Sequence, residues 1–405
     1  MSDIRPVDLE SNPFAPEGGR PEVFVTGGEG PYTNARKALA CIDLSAAKGK
    51  RVLLKPNAGR IATWDSGVVT NPDVVAAAID AFREAGADVA VGESPITGMK
   101  ALEALESCGI ADIARERDCP LIDLDAKKFI EVKIPDGKAI TMIKACTELQ
   151  EFDIVVSVPV MKNHMHTGVT LAVKNMKGCL WGRSKIDLHM LPQVEGYDDK
   201  MLDVAISDMS SVLRPHLAIV DGTIGMEGLG PSAGDPKPAD VIVVGADAFA
   251  ADAVACRLMD RRAQDVPHLR MGAERGFGVI DIDGIDVSPN EWMDFACPFA
   301  PVPDNLSLKF PGMTILDENS CSGCQSTLLM FLKRYGKEVL DYFPDERPFN
   351  VAIGKGHEAL PPRTLCIGGC TKAYKDVGIY VPGCPPVASA ILSAVKAARD
   401  DQETE

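Results

Sequence analysis

Short apolar runs that end in polar residues alternate with amphipathic stretches through most of the first 260 residues. No other feature of the chain constrains its fold as strongly. Arg51-Val52-Leu53-Leu54-Lys55 has strand length and closes with Pro56-Asn57. Thr70-Asn71-Pro72-Asp73 then carries a capping side chain and a first-turn proline, the signature of a helix start. Apolar residues follow at helical spacing from Val74 to Ala85, and Gly86 ends the run. Asp88–Gly92, Leu121–Leu124, Asp153–Val158, Leu217–Gly222 and Asp240–Gly245 read as further strands, with helices at Ala101–Cys108, Ala111–Arg117, Leu202–Leu213 and Ala248–Met259. Phe129–Ile134 and Ala139–Ile143 flank Pro135-Asp136-Gly137-Lys138, a hairpin signal. Strands buried on both faces and separated by helices predict an α/β fold, a mostly parallel sheet with flanking helices.

The length of 405 residues suits two to three domains, and 46% apolar residues suffice for a core. A polar, Pro- and Gly-rich N-terminus (1–20) is expected to be flexible, and the α/β domain spans 21–284. Pro298, Pro301, Pro303 and Pro311 mark 285–312 as a linker. A small C-terminal α/β domain follows at 313–400, with a helix at Thr327–Tyr335, a strand at Phe349–Gly354 and a last helix at Pro385–Arg399. The net charge of −16 argues against nucleic acid or an anionic membrane as partner, since both call for a basic face. No apolar run reaches the length of a membrane span. Met1-Ser2-Asp3-Ile4-Arg5 opens without an apolar signal region, so a cytoplasmic location is expected.

The last hundred residues hold Cys321-Ser-Gly-Cys324, then Cys370 after Gly368-Gly369, and Cys384 between Gly383 and Pro385. A Cys-x-x-Cys pair with two later cysteines in Gly-rich turns is a ligand set for one 4Fe-4S cluster. Thiolates hold the irons, and glycine lets backbone N–H groups approach the sulfurs. Zinc more often takes two close Cys-x-x-Cys knuckles, and disulfides are rare in a reducing compartment. Cys366, four residues before Cys370, sits in an apolar run and reads as a core thiol, with exchange for Cys370 left open. Cys324 and Cys384 are both expected at helix N-termini, which favour anionic thiolates.

Several segments together resemble the family called domain of unknown function 362, over about residues 20–280. They are Lys55-Pro56-Asn57, Gly92-Glu93-Ser94-Pro95, the run from His166 to Gly178, and Asp221 to Pro231. Members of that family are often joined to iron–sulfur modules, and the resemblance implies no defined reaction. Cys321-x-x-Cys324, Gly369-Cys370 and Gly383-Cys384-Pro385-Pro386 are similar to the cluster motif of nickel–iron hydrogenase small subunits. That resemblance implies one 4Fe-4S cluster on the four cysteines. It implies no hydrogenase activity, since the paired Cys-x-x-Cys motifs of a large subunit are absent.

In open α/β sheets, ligands bind beyond the carboxyl ends of the strands. Lys55-Asn57, Glu93-Ser94, Lys162-Asn163-His164-Met165-His166, Asp221 and Asp247 are expected there. His164, His166, Glu93 and Lys162 are the catalytic candidates, for proton transfer. Lys55, Asn57, Ser94, Lys174, Asn175, Lys177, Asp221 and Glu227 are the substrate-binding candidates, with Lys174-Asn175-Met176-Lys177 as an anion clamp. His164 and His166, spaced by two, would share a metal if the segment is extended, and His189 would complete such a site. Otherwise they are polar loop residues. Glu227-Gly228-Leu229-Gly230-Pro231 reads as a mobile loop, a lid or a turn.

The sequence reading is thus an iron–sulfur oxidoreductase moving electrons between a small anionic substrate and a ferredoxin-like donor or partner subunit. A non-redox isomerase or lyase with a structural or Lewis-acid cluster stays open, as does an electron-transfer subunit without its own substrate. A flavin or additional metal has no motif in support. Assembly into a homo-oligomer is left open.

Overall fold

A computed structural model describes residues 7, 12–16, 18–302 and 310–404. The chain divides into two compact units, Met1–Val302 and Pro303–Glu405. The first contains strands β1 (Glu22–Gly27), β2 (Arg51–Pro56), β3 (Asp88–Glu93), β4 (Leu121–Asp123), β5 (Ile130–Lys133), β6 (Met142–Ala145), β7 (Ile154–Val158), β8 (Val160–His164), β9 (Gly168–Thr170), β10 (Leu217–Glu227), β11 (Asp235–Gly245) and β12 (Asp286–Ser288). Its helices are α1 (Pro31–Leu39), α2 (Pro72–Glu84), α3 (Ala101–Ser107), α4 (Ile110–Glu116), α5 (Ala172–Asn175), α6 (Ser184–Asp187), α7 (Met201–Met209), α8 (Ala248–Leu258) and α9 (Pro267–Glu274).

The main sheet runs β12-β1-β11-β10-β7-β2-β3-β4. From β10 to β4 every pairing is parallel, while β11 is antiparallel to both its neighbours. Alternate residues of the same strands feed two cores, as the strand period of two requires. Val52, Leu54, Val89, Val91, Val156 and Ile219 point to the side covered by α1, α2 and α4. Leu53, Val155, Ala218, Val220, Val241 and Val243 point to the side covered by α5, α7 and α8. Asn71 caps α2 as expected, its side chain accepting the Asp73 N–H at 2.9 Å.

Three expectations need correction. The stretch read as a linker from 285 begins with β12, which pairs in parallel with β1 because Val287 and Ile285 have an apolar surface to cover. Residues 303–309 of that stretch lie outside the described residues. Within the N-terminus read as flexible, the Asn12 side chain donates to the His216 and Ala246 carbonyls at 2.8 and 2.9 Å, so residues 12–16 are anchored. The residues after β7 also continue as strand. β8 follows Pro159 directly and forms a ribbon with β9, with one edge along the second half of β10.

The second unit contains β13 (Met313–Glu318), α10 (Ser322–Tyr342), β14 (Phe349–Gly354), β15 (Leu365–Ile367), β16 (Ile379–Val381) and α11 (Ala388–Thr404). Its four strands form one parallel sheet in chain order. Phe331, Val339, Val351, Ile353, Leu365, Ile391 and Val395 form a core of its own. No helix among the described residues is long and apolar enough to cross a membrane.

Candidate functional site

The carboxyl ends of β2, β3 and β7 lie side by side, and the polar residues that end them meet there. The Lys55 ammonium contacts the two Glu93 carboxylate oxygens at 2.8 and 3.0 Å, the Pro56 carbonyl at 2.9 Å and the Asn175 Oδ1 at 3.1 Å. Glu93 also accepts the Ala58 and Ser94 N–H groups, at 2.7 and 2.8 Å. Both side chains are 1% exposed. A buried ion pair with every remaining hydrogen-bonding position filled is the form that survives desolvation.

Gly178 lies directly over this pair. A Cβ there would stand 2.4 Å from the Lys55 Nζ and 3.1 Å from the Glu93 Oε1, so only glycine lets the backbone pass. Asn175 ties the pair to its surroundings, its Nδ2 donating to the Lys55 carbonyl and to the Ser157 hydroxyl, each at 3.1 Å. Asn57 donates to Asn175 at 3.1 Å and accepts from the Lys162 ammonium at 2.6 Å. Lys162 makes one further bond, to the Val68 carbonyl at 2.8 Å.

Around this polar floor stands a group of cations. The Lys174 and Arg60 side chains make no hydrogen bond or ion pair among the described residues, and both residues are only partly covered. The Lys177 Nζ stands 2.8 Å from the His189 Nε2. The His189 and His166 rings are 6.3 Å apart, and the His166 and His164 rings 5.5 Å. Burial, helped by Lys174, Arg60 and Lys55, pushes Lys162 well below the ordinary lysine range. Burial lowers Lys174 to about 8, with Asp203 opposing. Lys177 is pushed well down by burial, then by Lys174 and Lys185. Burial, then Lys174, His166, His189 and Lys177, holds His164 far down, so its imidazole is neutral. The His164 Nδ1 accepts the His166 N–H at 3.1 Å, which leaves the proton on Nε2.

The carboxylates nearby are already engaged. Glu93 is on Lys55, and Asp125 is 3.4 Å from Lys185, which also contacts Ser94. Asp203 is 2.8 Å from His268. The site therefore has an excess of basic groups facing one another, whose charged forms a bound anion would favour.

The structure reassigns several sequence candidates. Lys55 and Glu93 form the floor, paired with one another at 1% exposure each. Ser94 is 2% exposed and lies beneath Lys185. Asp221 is buried and accepts the Asn71 and Thr223 N–H groups, at 2.7 and 2.9 Å, so it anchors the start of α2. Glu227 accepts the Ala300 N–H at 2.8 Å and pairs with Lys237. Asp247 caps α8. The loop after Glu227 is a packed turn: the Gly230 carbonyl accepts the Met165 N–H, and a Cβ on Gly230 would stand 1.9 Å from the Asn163 carbonyl. Arg60 and Lys185 join the site without having been singled out, because a lone cation in a loop or a short helix leaves no periodic or spacing signal.

The cysteines of the second unit also follow strand ends. Cys321 and Cys324 come after β13, Cys370 after β15 and Cys384 after β16. Cys321 is the N-cap of α10, and Cys324 lies in its first turn. Cys384 does not sit at a helix start as expected, since Pro385-Pro386 delay α11 to Ala388. A Cβ on Gly368, whose φ is 98°, would stand 3.3 Å from the Cys324 Sγ, and the Gly369 N–H donates to the Gly383 carbonyl at 2.7 Å. The Cys324 thiol is raised by its shared proton with Cys321, by burial, and by Cys321, Cys370 and Cys384 as neighbours. Cys321 is lowered to about 6 by the Cys324 hydrogen bond and by backbone N–H groups. Cys321, Cys324, Cys370 and Cys384 thus all lie in the segments that follow strands of the one small sheet. Among the described residues, no three of His, Cys, Asp and Glu already stand in metal-coordinating geometry. Cys366 lies in β15, fully buried, its Sγ on the Thr364 carbonyl.

A family model described as "Domain of unknown function (DUF362)" matches residues 52–257, about half of the chain. A thylakoid-associated protein of Synechocystis sp. is 29% identical over 231 residues, 57% of this chain and 69% of that protein. Among solved structures, a lactate racemase apoprotein from Thermoanaerobacterium thermosaccharolyticum is similar with a TM-score of 0.41 and 11% identity, over 64% of this chain and 59% of that one. A protein from Thermotoga maritima is similar with a TM-score of 0.36 and 14% identity, over 57% of this chain and 60% of that one.

Proposed function

Since the chain belongs to the DUF362 family, whose name carries no reaction, we propose from its own residues that it is an iron–sulfur oxidoreductase acting on a small anionic substrate. The observation that carries the reading is Lys174, whose ammonium makes no hydrogen bond or ion pair among the described residues and is opposed by burial, with only Asp203 in its favour. A bound anion would stabilise the charged form of such a group. The anion would lie over the Lys55–Glu93 floor and accept hydrogen bonds from Lys174, Arg60 and the remaining Lys162 N–H. The neutral His164 would donate through Nε2 to the reacting part of the substrate, and Lys174 would exchange a proton with it. Cys321, Cys324, Cys370 and Cys384 would hold one 4Fe-4S cluster. When bound, it would supply single electrons, exchanged with a ferredoxin-like carrier or partner subunit. The proposal places the protein in the cytoplasm, where thiols stay reduced, and none of the twelve cysteines is in a disulfide.

A second reading is favoured by Lys174 alone. An amine lowered to about 8 is matched to general base work near neutral pH, as in isomerases and lyases. The experiment that separates the two is iron and acid-labile sulfide per chain after anaerobic purification, with EPR before and after dithionite. About four of each and a signal that appears on reduction support the oxidoreductase. A cluster that stays silent across the accessible range leaves proton-transfer chemistry at Lys174 as the function, and zinc without sulfide removes the electron-transfer reading altogether.

A further inference from the structure

The ribbon of β8 and β9 carries Lys162 and His164. Across it, Lys162 pairs with Thr170, Asn163 with Val169 and His164 with Gly168. Side chains alternate between the two faces of a strand, and residues directly opposite share a face with their Cβ atoms about 4.5–5.5 Å apart. One face therefore holds Asn163 and Val169. Asn163 is engaged there, with the Ala300 carbonyl at 2.6 Å and the Arg261 guanidinium at 2.9 Å, and Val169 belongs to the core. The other face holds Lys162, His164 and Thr170. Lys162 turns that face onto the polar floor, since its Nζ bonds Asn57, which in turn bonds Asn175.

Thr170 is 4% exposed, and its hydroxyl oxygen is buried with no hydrogen-bond partner among the described residues. A buried hydroxyl in that position has given up its bonds to water without replacing them, and native proteins keep few of these. The ribbon does not need it, because the ladder between the strands is made of backbone bonds. Valine has the same branching at Cβ and suits a strand as well.

Resting on the anion-binding reading above, we infer that Thr170 is a further substrate-binding residue, its hydroxyl donating to an oxygen of the substrate's carboxylate or phosphate group beside Lys162. His164, two residues along the same face, then stands beside the rest of the molecule. The hydroxyl is a donor whatever the charge on Lys162, so this contact survives the burial that disfavours the lysine's cation.

The test is calorimetry on the full-length wild-type, Thr170→Val and Thr170→Ser proteins with succinate and inorganic phosphate as probes, with urea unfolding of each protein. Thr170→Val should weaken whichever probe the wild type binds by about tenfold, as expected for one hydrogen bond to a charged group. It should unfold at the same or a higher urea concentration, because valine removes a buried polar atom that had no partner. Thr170→Ser keeps the hydroxyl and should bind within about threefold of wild type. Wild-type affinity in Thr170→Val overturns the inference. So does a Thr170→Val protein that unfolds more readily, since the hydroxyl then serves the fold, through the protein or a buried water. Binding of neither probe by the folded wild-type protein overturns the anion-binding reading itself.

Discussion

Lys174 carries its charge against its surroundings, and the sign of that conflict can be worked out. Its folded value of about 8 lies below the ordinary 10.5, so the charged form is disfavoured in the native state. Below about pH 8 the folded protein holds a cation that burial opposes. As pH rises from 8 towards 10.5 the unfolded chain binds the extra proton, so this penalty fades and stability rises. Anion affinity runs the other way, because the anion needs the cation. Affinity should be flat below pH 8 and fall above it, with close to one proton taken up per anion bound at pH 9. Calorimetry in buffers of different ionisation heat reads that uptake. Lys162, Lys177, His164 and His189 face the same space and are also lowered by burial. Lys174→Met isolates the step: the uptake should vanish, and a variant that retains it would assign the proton elsewhere. At this scale the sequence showed which residue types crowd the strand ends, but not which were already engaged. Lys55, Glu93, Asp221 and Glu227 look like free chemistry in a sequence. Only the fold brings Asn175, Asn71 and Ala300 to them.

At the scale of elements, the short helix α5 carries Lys174 and Asn175, and a helix of four residues does not hold itself together. Asp252, on α8 and fully buried, accepts the Ala172 and Val173 N–H groups at 2.7 and 2.9 Å. The carboxylate therefore fixes the first turn of α5 and, through it, the direction of Lys174. Asp252→Ala should destabilise the protein by about 1–3 kcal/mol in urea unfolding, because two buried donors lose their acceptor. Asp252→Asn keeps one oxygen acceptor and should recover part of that loss. Anion affinity in the two variants should follow the same order. A folded Asp252→Ala protein with unchanged affinity would show that α5 needs no such anchor. Regular elements with full periodicity were legible in the sequence: α2, α8 and the strands β2, β3 and β7 fall where the apolar spacing puts them, while α7 ends at Met209, four residues before the expected Leu213. Less legible were β8 and β9, whose residues alternate too briefly, and the clamp from Asp252, which spans eighty residues of chain.

At the scale of the whole molecule, each unit buries its own core and carries its own candidate site at the carboxyl ends of its parallel strands. That repetition of one placement rule in two separate sheets follows from parallel topology, which leaves polar loops free at the same end of every strand. Motif spacing was enough to single out Cys321, Cys324, Cys370 and Cys384, which the fold puts in three segments after strands of one small sheet. The first site, drawn from loops and strands between Asn57 and His189, needed the fold. Two self-contained cores make loss of one site independent of the other. Cys384→Ser should lower iron and sulfide sharply in anaerobically purified protein, because a thiolate ligand is removed. Anion binding in the first unit, read by calorimetry with succinate, should stay within about twofold of wild type, since sites in separate units with no shared residue are close to additive. Cys366→Ser, in the core of β15 rather than the cradle, should keep its iron in whatever fraction folds. If Cys366→Ser loses the metal while Cys384→Ser retains it, the ligand set is wrong. If anion affinity falls together with iron in Cys384→Ser, the two units are energetically coupled, and substrate binding and cluster occupancy must be treated as one equilibrium.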